Sequence, residues 1–156
     1  AETVEESLTL VRALARIAGH PERGEVMVRR IEASLAAART DGPPVPAVVW
    51  QSGGIVPGQG TLISDLLART GFINAAAQRG LHQADMLPLE DMLMHPPRVI
   101  LTAGNHYAEE DRLLRHPALA VLKGTTRARL DPALLWCGGP TIPRTVARLV
   151  EVRRSL

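Results

Sequence analysis

The sequence has little cysteine, few aromatic residues and almost no lysine. Cys137 is the only cysteine among 156 residues, which excludes an internal disulfide framework. Four aromatic residues are too few for a surface that stacks nucleic-acid bases, and the basic residues are scattered, so nucleic acid is not an expected partner. Eighteen basic and sixteen acidic residues leave a net charge of only +2. No apolar run approaches the roughly 20 residues that span a bilayer.

The first forty residues predict two helices in a chain whose composition, 46% hydrophobic and 22% charged, is that of a globular protein. The first helix covers residues 2–18, where apolar residues recur at helical spacing on one stripe. Gly19 is a typical C-terminal stop. The second helix runs from Pro21 to about Arg39, which corresponds to a length of about 28 Å.

From residue 45 onward the pattern alternates between strands and helices. Buried strands are predicted at 47–51 and 98–102, and a weaker strand at 127–130. One helix is predicted to begin at Thr61 and to end at Gly71. Further helices are predicted over 88–95, 109–115 and 141–156. This alternation favours an α/β fold, specifically a three-layer, Rossmann-like lobe around a mainly parallel central sheet.

The glycine-rich segment 53–61 lies between a predicted strand and a predicted helix, where α/β proteins commonly bind ligands. It departs from the phosphate-binding loop, because Gln59 stands where lysine is required and Gly60 where serine or threonine is required. Two interpretations stay open for this segment. Its glycines either provide the positive φ angles of a tight loop or allow a ligand to approach the backbone.

No residue pattern predicts catalysis, a metal site or a cofactor. Three of the five histidines, His20, His95 and His116, directly precede proline, which is typical of turn positions. The other two lack the spacing of metal ligands. Ser52 has no glycine two residues before it, as a nucleophile elbow requires, and Cys137 has no hydrolase signature around it. The sequence therefore favours a protein that is not an enzyme.

Several segments, taken in order, resemble periplasmic binding proteins of the vitamin B12 and ferric-siderophore class. Residues 58–76 resemble the start of the second lobe in that family, with a glycine-containing loop, a helix and an asparagine. Residues 87–101 are similar to its next landmark, a short acidic helix before a proline and a buried strand. Residues 21–39 resemble the long helix that joins the two lobes, and residues 134–156 resemble the usual ending.

The resemblance implies an organisation and a function. Residues 1–40 would form a helical arm that includes the long inter-lobe helix, and residues 45–156 the C-terminal α/β lobe preceded by it. An N-terminal lobe and a signal peptide would lie outside this chain. The protein would be the solute-binding component of an ABC importer and would work in the periplasm. It would bind an iron-siderophore, haem or cobalamin-type ligand between its lobes and then dock on the membrane permease.

The resemblance also implies roles for particular residues. Glu90 matches the glutamate on the lobe surface that pairs with arginines of the permease, a contact in which complementary charge sets the orientation. The ligand-facing wall of this lobe would include residues that follow predicted strands: Gln51, Ser52, Gly53, Tyr107 and Trp136.

Two alternatives from other functional classes stay open. A small self-contained α/β enzyme would hold an anionic substrate at the loop from Gly53 to Thr61. An interaction domain would instead pair with another chain through the apolar helical faces at 4–18 and 28–38. A homodimer of the lobe, formed through apolar surface that the absent lobe would cover, is a further possibility.

Overall fold

The computed structural model describes residues 1–105 and 111–156. Its helices are α1 (Val4–Ile17), α2 (Pro21–Ala37), α3 (Leu62–Arg69), α4 (Ala75–Gln78), α5 (Leu89–Met94), α6 (Ala133–Trp136) and α7 (Ile142–Arg154). Its strands are β1 (Val45–Gln51), β2 (Ile55–Val56), β3 (Phe72–Asn74), β4 (Asp85–Met86), β5 (Val99–Ala103) and β6 (Thr126–Arg129). Short 3-10 turns cover Ser52–Gly54, Leu113–Arg115, Pro117–Val121 and Gly139–Thr141.

The two helices at the start of the chain form where the apolar spacing predicts them. The Thr3 hydroxyl accepts a hydrogen bond from the Glu6 amide at 3.2 Å and so caps α1. Gly19, with a φ of 76°, follows the end of that helix. The helices cross closely at Gly24, where an added Cβ would lie 2.5 Å from the Cβ of Ala15. Only glycine at position 24 allows this crossing.

Four parallel strands form the central sheet in the order β3-β1-β5-β6. In the middle pair, β1 and β5 run in register from Ala47 opposite Val99 to Gln51 opposite Ala103. Strands β2 and β4 form a separate small antiparallel pair. Because the four strands run in the same direction, their carboxyl ends meet at one edge of the sheet, which we call the carboxyl edge.

Both faces of the sheet are buried, since alternate residues of β1 pack into different clusters. Ala47 and Val49 join a cluster built with α1, α2, α3 and α7, the long-helix layer. Val48 and Trp50 join a second cluster built with α4, α5 and the turns at 113–121, the short-helix layer. The three layers are the α/β architecture that the sequence predicts, and the prediction of the fold class is confirmed.

The structure also contains elements that the sequence did not predict. Strand β3 has three residues, too few to show an alternating pattern, and β2 and β4 have two residues each. The helix predicted over 109–115 begins outside the described residues, and its described end is the 3-10 turn Leu113–Arg115. Residues 72–74, for which the sequence predicts no element, form strand β3 at the edge of the sheet.

Much of the apolar faces of the two N-terminal helices is buried within this chain. Val4 and Val28 are each 1% exposed, and Ile31 is fully buried, all in the cluster of the long-helix layer. An interaction domain would need these faces to be free for another chain. The buried residues are not free in this way, whereas Ala18, on the predicted face at 4–18, is exposed.

Candidate functional site

An open cleft of about 810 Å³ lies at the carboxyl edge of the sheet. Its walls come from α1, from the loop after β1 and from the segment 135–140. The lining side chains, all in the described part of the chain, include none that is charged and few that are polar. Clefts of this size with an apolar lining and a small number of polar groups are typical of small-molecule sites.

Two of the sequence-predicted ligand-binding residues line this cleft together. Gln51 is the last residue of β1, and its side chain lies on the same face as that of Val49, towards the long-helix layer. Trp136 is the last residue of α6 and is 78% exposed. The structure thus brings an amide and an indole to one cavity from positions 85 residues apart (136 minus 51) in the chain.

The other predicted ligand-binding residues lie elsewhere. Ser52 and Gly53 begin the 3-10 turn directly after β1 but are not among the residues that line the cleft. Gly53 is exposed and has a φ of 73°, a value that favours glycine. Tyr107 lies outside the described residues. The role of these three residues stays a prediction.

The glycine-rich loop is closed by hydrogen bonds within the protein. The amide of Gly58 donates to the His82 carbonyl at 3.0 Å, and the amide of Gln59 donates to the Leu81 carbonyl at 2.8 Å. An added Cβ on Gly58 would lie 1.9 Å from the oxygen of Leu81. Because these two amides are already donated, they cannot cradle an anion as an enzyme of the first alternative would require.

Glu90 lies in the first turn of α5, on the surface of the lobe. Asp91 follows it, and both carboxylates are exposed at the positive end of the helix. The other end of α5 is held by Arg79, whose Nη2 donates a hydrogen bond to the His95 carbonyl. Burial lowers the pKa of the Arg79 guanidinium, and the nearby carboxylate of Asp91 acts in the opposite direction.

The sequence analysis missed the contribution of α1 to the cleft. Leu10 and Leu14 line the cavity and are 51% and 56% exposed, and Ile17 on the same helix is 83% exposed. A signal was present, because these residues lie off the stripe that packs against the sheet. A helix that carries apolar residues on two faces buries only one of them against its own domain.

Trp50 and Trp136 both lie near the ends of predicted strands, but Trp50 is buried whereas Trp136 is exposed. Trp50 is fully buried in the short-helix layer, and its Nε1 donates to the Leu87 carbonyl at 3.1 Å.

Within residues 1–105 and 111–156, no three histidine, cysteine or acidic side chains come close enough to hold a metal ion. No helix in the same ranges is long and apolar enough to cross a membrane.

Comparison with known proteins gives one family and a consistent set of structures. The periplasmic binding protein family model matches residues 1–127. The periplasmic heme-binding protein RhuT of Roseiflexus sp. RS-1 is 26% identical, with a TM-score of 0.72 over 99% of this chain and 63% of its own. A periplasmic heme-binding protein from Pseudomonas aeruginosa is also 26% identical, with a TM-score of 0.72 over 96% of this chain and 59% of its own.

A third structure shows the same fold at lower identity. The periplasmic vitamin B12 binding protein BtuF of Vibrio cholerae is 18% identical, with a TM-score of 0.79 over 99% of this chain and 63% of its own. A search of curated protein sequences finds no match. The chain thus spans less than two thirds of the length of the structures that it resembles. Since the family match extends over 127 of the 156 residues, the chain belongs to the periplasmic binding protein family.

Proposed function

We propose that this chain is one lobe of the solute-binding component of an ABC importer, with an iron-siderophore, haem or cobalamin-type compound as its ligand. The observation that carries the proposal is the uncharged cleft at the carboxyl edge, in a chain that belongs to a family of solute-binding proteins rather than enzymes. On this account the protein acts in the periplasm, and it selects and delivers its ligand without changing it.

The chemistry of the cleft supports a large ligand with an apolar surface. Trp136 offers a flat aromatic face, and Leu10 and Leu14 of α1 add apolar surface to the lining. Gln51 supplies an amide that can donate or accept a hydrogen bond, which would orient such a ligand. Ser52, Gly53 and Tyr107 remain part of the proposed wall from the sequence alone. Of the similar structures described above, two are named for heme and one for vitamin B12.

The open side of the cleft supports a second lobe. In this proposal α2 is the long inter-lobe helix within the arm 1–40, and residues 45–156 form the lobe that follows. The similar structures are longer than the part that this chain matches, and the unmatched part leaves room for a further lobe. Ligand affinity would then depend on both walls of the cleft, so the lobe alone would bind weakly.

Glu90 is the residue that we assign to docking on the permease. Its carboxylate is exposed on the lobe surface, beside that of Asp91, and the two together present negative charge to a basic partner. A change of charge at this surface is expected to affect the orientation and rate of docking, because rim charges set these more than affinity.

A charge reversal with a matched control tests the docking assignment. Glu90→Arg in the two-lobed protein is expected to reduce transport by at least about tenfold and to leave ligand binding unchanged. Glu22→Arg is the control, since Glu22 is also an exposed acid in the first turn of a helix, α2. Transport at the wild-type rate in the Glu90 variant, or an equal loss in the control, would contradict the assignment.

A further inference from the structure

A second cavity, of about 550 Å³, lies beside the outer strand of the sheet and is lined by three arginines. Arg129 ends β6, and Arg144 and Arg148 lie one turn apart on α7. Leu130 and Leu134, which are 1% and 9% exposed, also line it. We call this cavity the arginine pocket. It is separate from the apolar cleft, since the two share no lining residue.

The three guanidinium groups are in different states. Arg148 is fixed, because its Nε donates to the Arg129 carbonyl at 2.9 Å and its Nη1 pairs with Glu151 at 2.8 Å. The side chains of Arg129 and Arg144 are exposed and make no hydrogen bond or ion pair with the described residues. Within the described part of the chain, the pocket thus holds two unpaired guanidinium groups and a third that is held in place.

Three carboxylates of the described residues lie in or near the pocket. Among residues 1–105 and 111–156, Asp131 is the one acid that lines the pocket, and its Oδ1 accepts a hydrogen bond from the Ala133 amide at 2.9 Å. Glu151 is taken by Arg148. The buried carboxylate of Asp111 lies behind Gly104, where an added Cβ would be 2.6 Å from its Oδ2. None of these acids pairs with the guanidinium groups of Arg129 or Arg144.

We infer that the arginine pocket binds a multiply charged oxyanion, such as the free carboxylates of a chelating ligand. Guanidinium groups bind carboxylate and phosphate oxygens in pairs, and two free ones in a single cavity suit a group that carries more than one negative charge. The inference deepens the proposed function, on which its physiological meaning rests.

The pocket can be tested on this chain alone, independently of ligand transport. Calorimetric titration at constant ionic strength uses citrate and pyrophosphate as probes, with acetate as the singly charged control. We expect citrate to bind, and the double variant Arg129→Gln with Arg144→Gln to weaken that binding by at least about tenfold. Tighter binding of pyrophosphate than of citrate would overturn carboxylate as the preferred group.

A charge-matched variant separates a site from general attraction to a basic protein. Arg23→Gln with Arg30→Gln removes the same charge from two exposed arginines of α2 that do not line the pocket. This control is expected to change citrate affinity less than about twofold, because remote exposed charges are screened by salt. An equal loss in both double variants, or no heat with either probe, would overturn the inference. The proposed function could still stand in that case, because docking and the apolar cleft are tested separately.

Discussion

The interior of the sheet and the rim of the cleft contain similar apolar residues in opposite states. In the interior, Trp50 and Leu101 are fully buried. At the rim, Trp136 is 78% exposed and Leu14 is 56% exposed. Burial of the first pair stabilises the fold. The second pair leaves apolar surface in contact with water and adds little to the free energy of unfolding. In the proposed function, the exposed pair at the rim contacts the ligand.

The two tryptophans give the largest expected difference. Trp50→Ala is expected to lower the free energy of unfolding by about 4 kcal/mol, because it leaves a cavity and an unpaired Leu87 carbonyl. Trp136→Ala should change it by less than about 0.5 kcal/mol, since the side chain is mostly in water. Urea unfolding followed by circular dichroism measures both. Equal losses would show that the rim is part of the stabilising core.

Two leucines on the same helix sharpen the comparison at a smaller scale. Leu8→Ala removes a side chain that α1 buries against the sheet and should cost about 2 kcal/mol. Leu14→Ala removes one that faces the cleft and should cost less than about 0.5 kcal/mol. Both substitutions place the same residue in the same helix, so helix propensity cancels. The comparison fails if Leu14→Ala is the more destabilising of the two in chemical unfolding.

The smallest expected effect comes from the ion pair that joins α1 to α2. The hydrogen bond from Arg12 at 2.8 Å lowers the pKa of the Glu25 carboxyl. A carboxyl whose pKa is lowered by folding stabilises the fold above its unfolded-state pKa and loses that contribution as the pH falls through the folded pKa. Glu25→Gln should therefore lower the Tm slightly near neutral pH and have no effect in strong acid.

Salt provides the control for this pair. Both side chains are more than 40% exposed, so the difference in Tm between Glu25→Gln and the wild type should disappear at high ionic strength. A difference in Tm that persists in high salt, or that grows as the pH falls, would contradict an electrostatic role for the pair.

Whether the sequence predicts an element of the fold depends on the length of that element. The helices α1, α2 and α7 and the buried strands β1 and β5 are long enough to show a period, and the sequence predicts them. Strand β3 is too short to be predicted in this way, because three residues show no period. Its pairing with β1 is a long-range contact, which local pattern does not reveal. Local pattern therefore predicted the layers but not the full width of the sheet.

The site was less accessible to sequence reasoning than the fold. Trp50 and Trp136 both lie near predicted strand ends, and only the packed structure shows that one is core and the other rim. Arg129 and Arg144 line the same pocket although a turn and the short helix α6 separate them in the chain. No spacing in the sequence predicts this. The resemblance to a known family supplied Gln51 and Trp136 as candidates, and the structure places both in one cavity.

Ligand titration of the two-lobed protein tests the central claim, that the exposed apolar rim is the ligand wall of this lobe. Hemin, cyanocobalamin and a ferric hydroxamate are the probes. Trp136→Ala is compared with Val121→Ala, a smaller apolar truncation at a site that is 69% exposed and lines none of the cavities described above. We predict that one probe binds and that Trp136→Ala weakens it by about tenfold or more, whereas Val121→Ala leaves its Kd unchanged. Equal affinities of both variants and the wild type would contradict the claim.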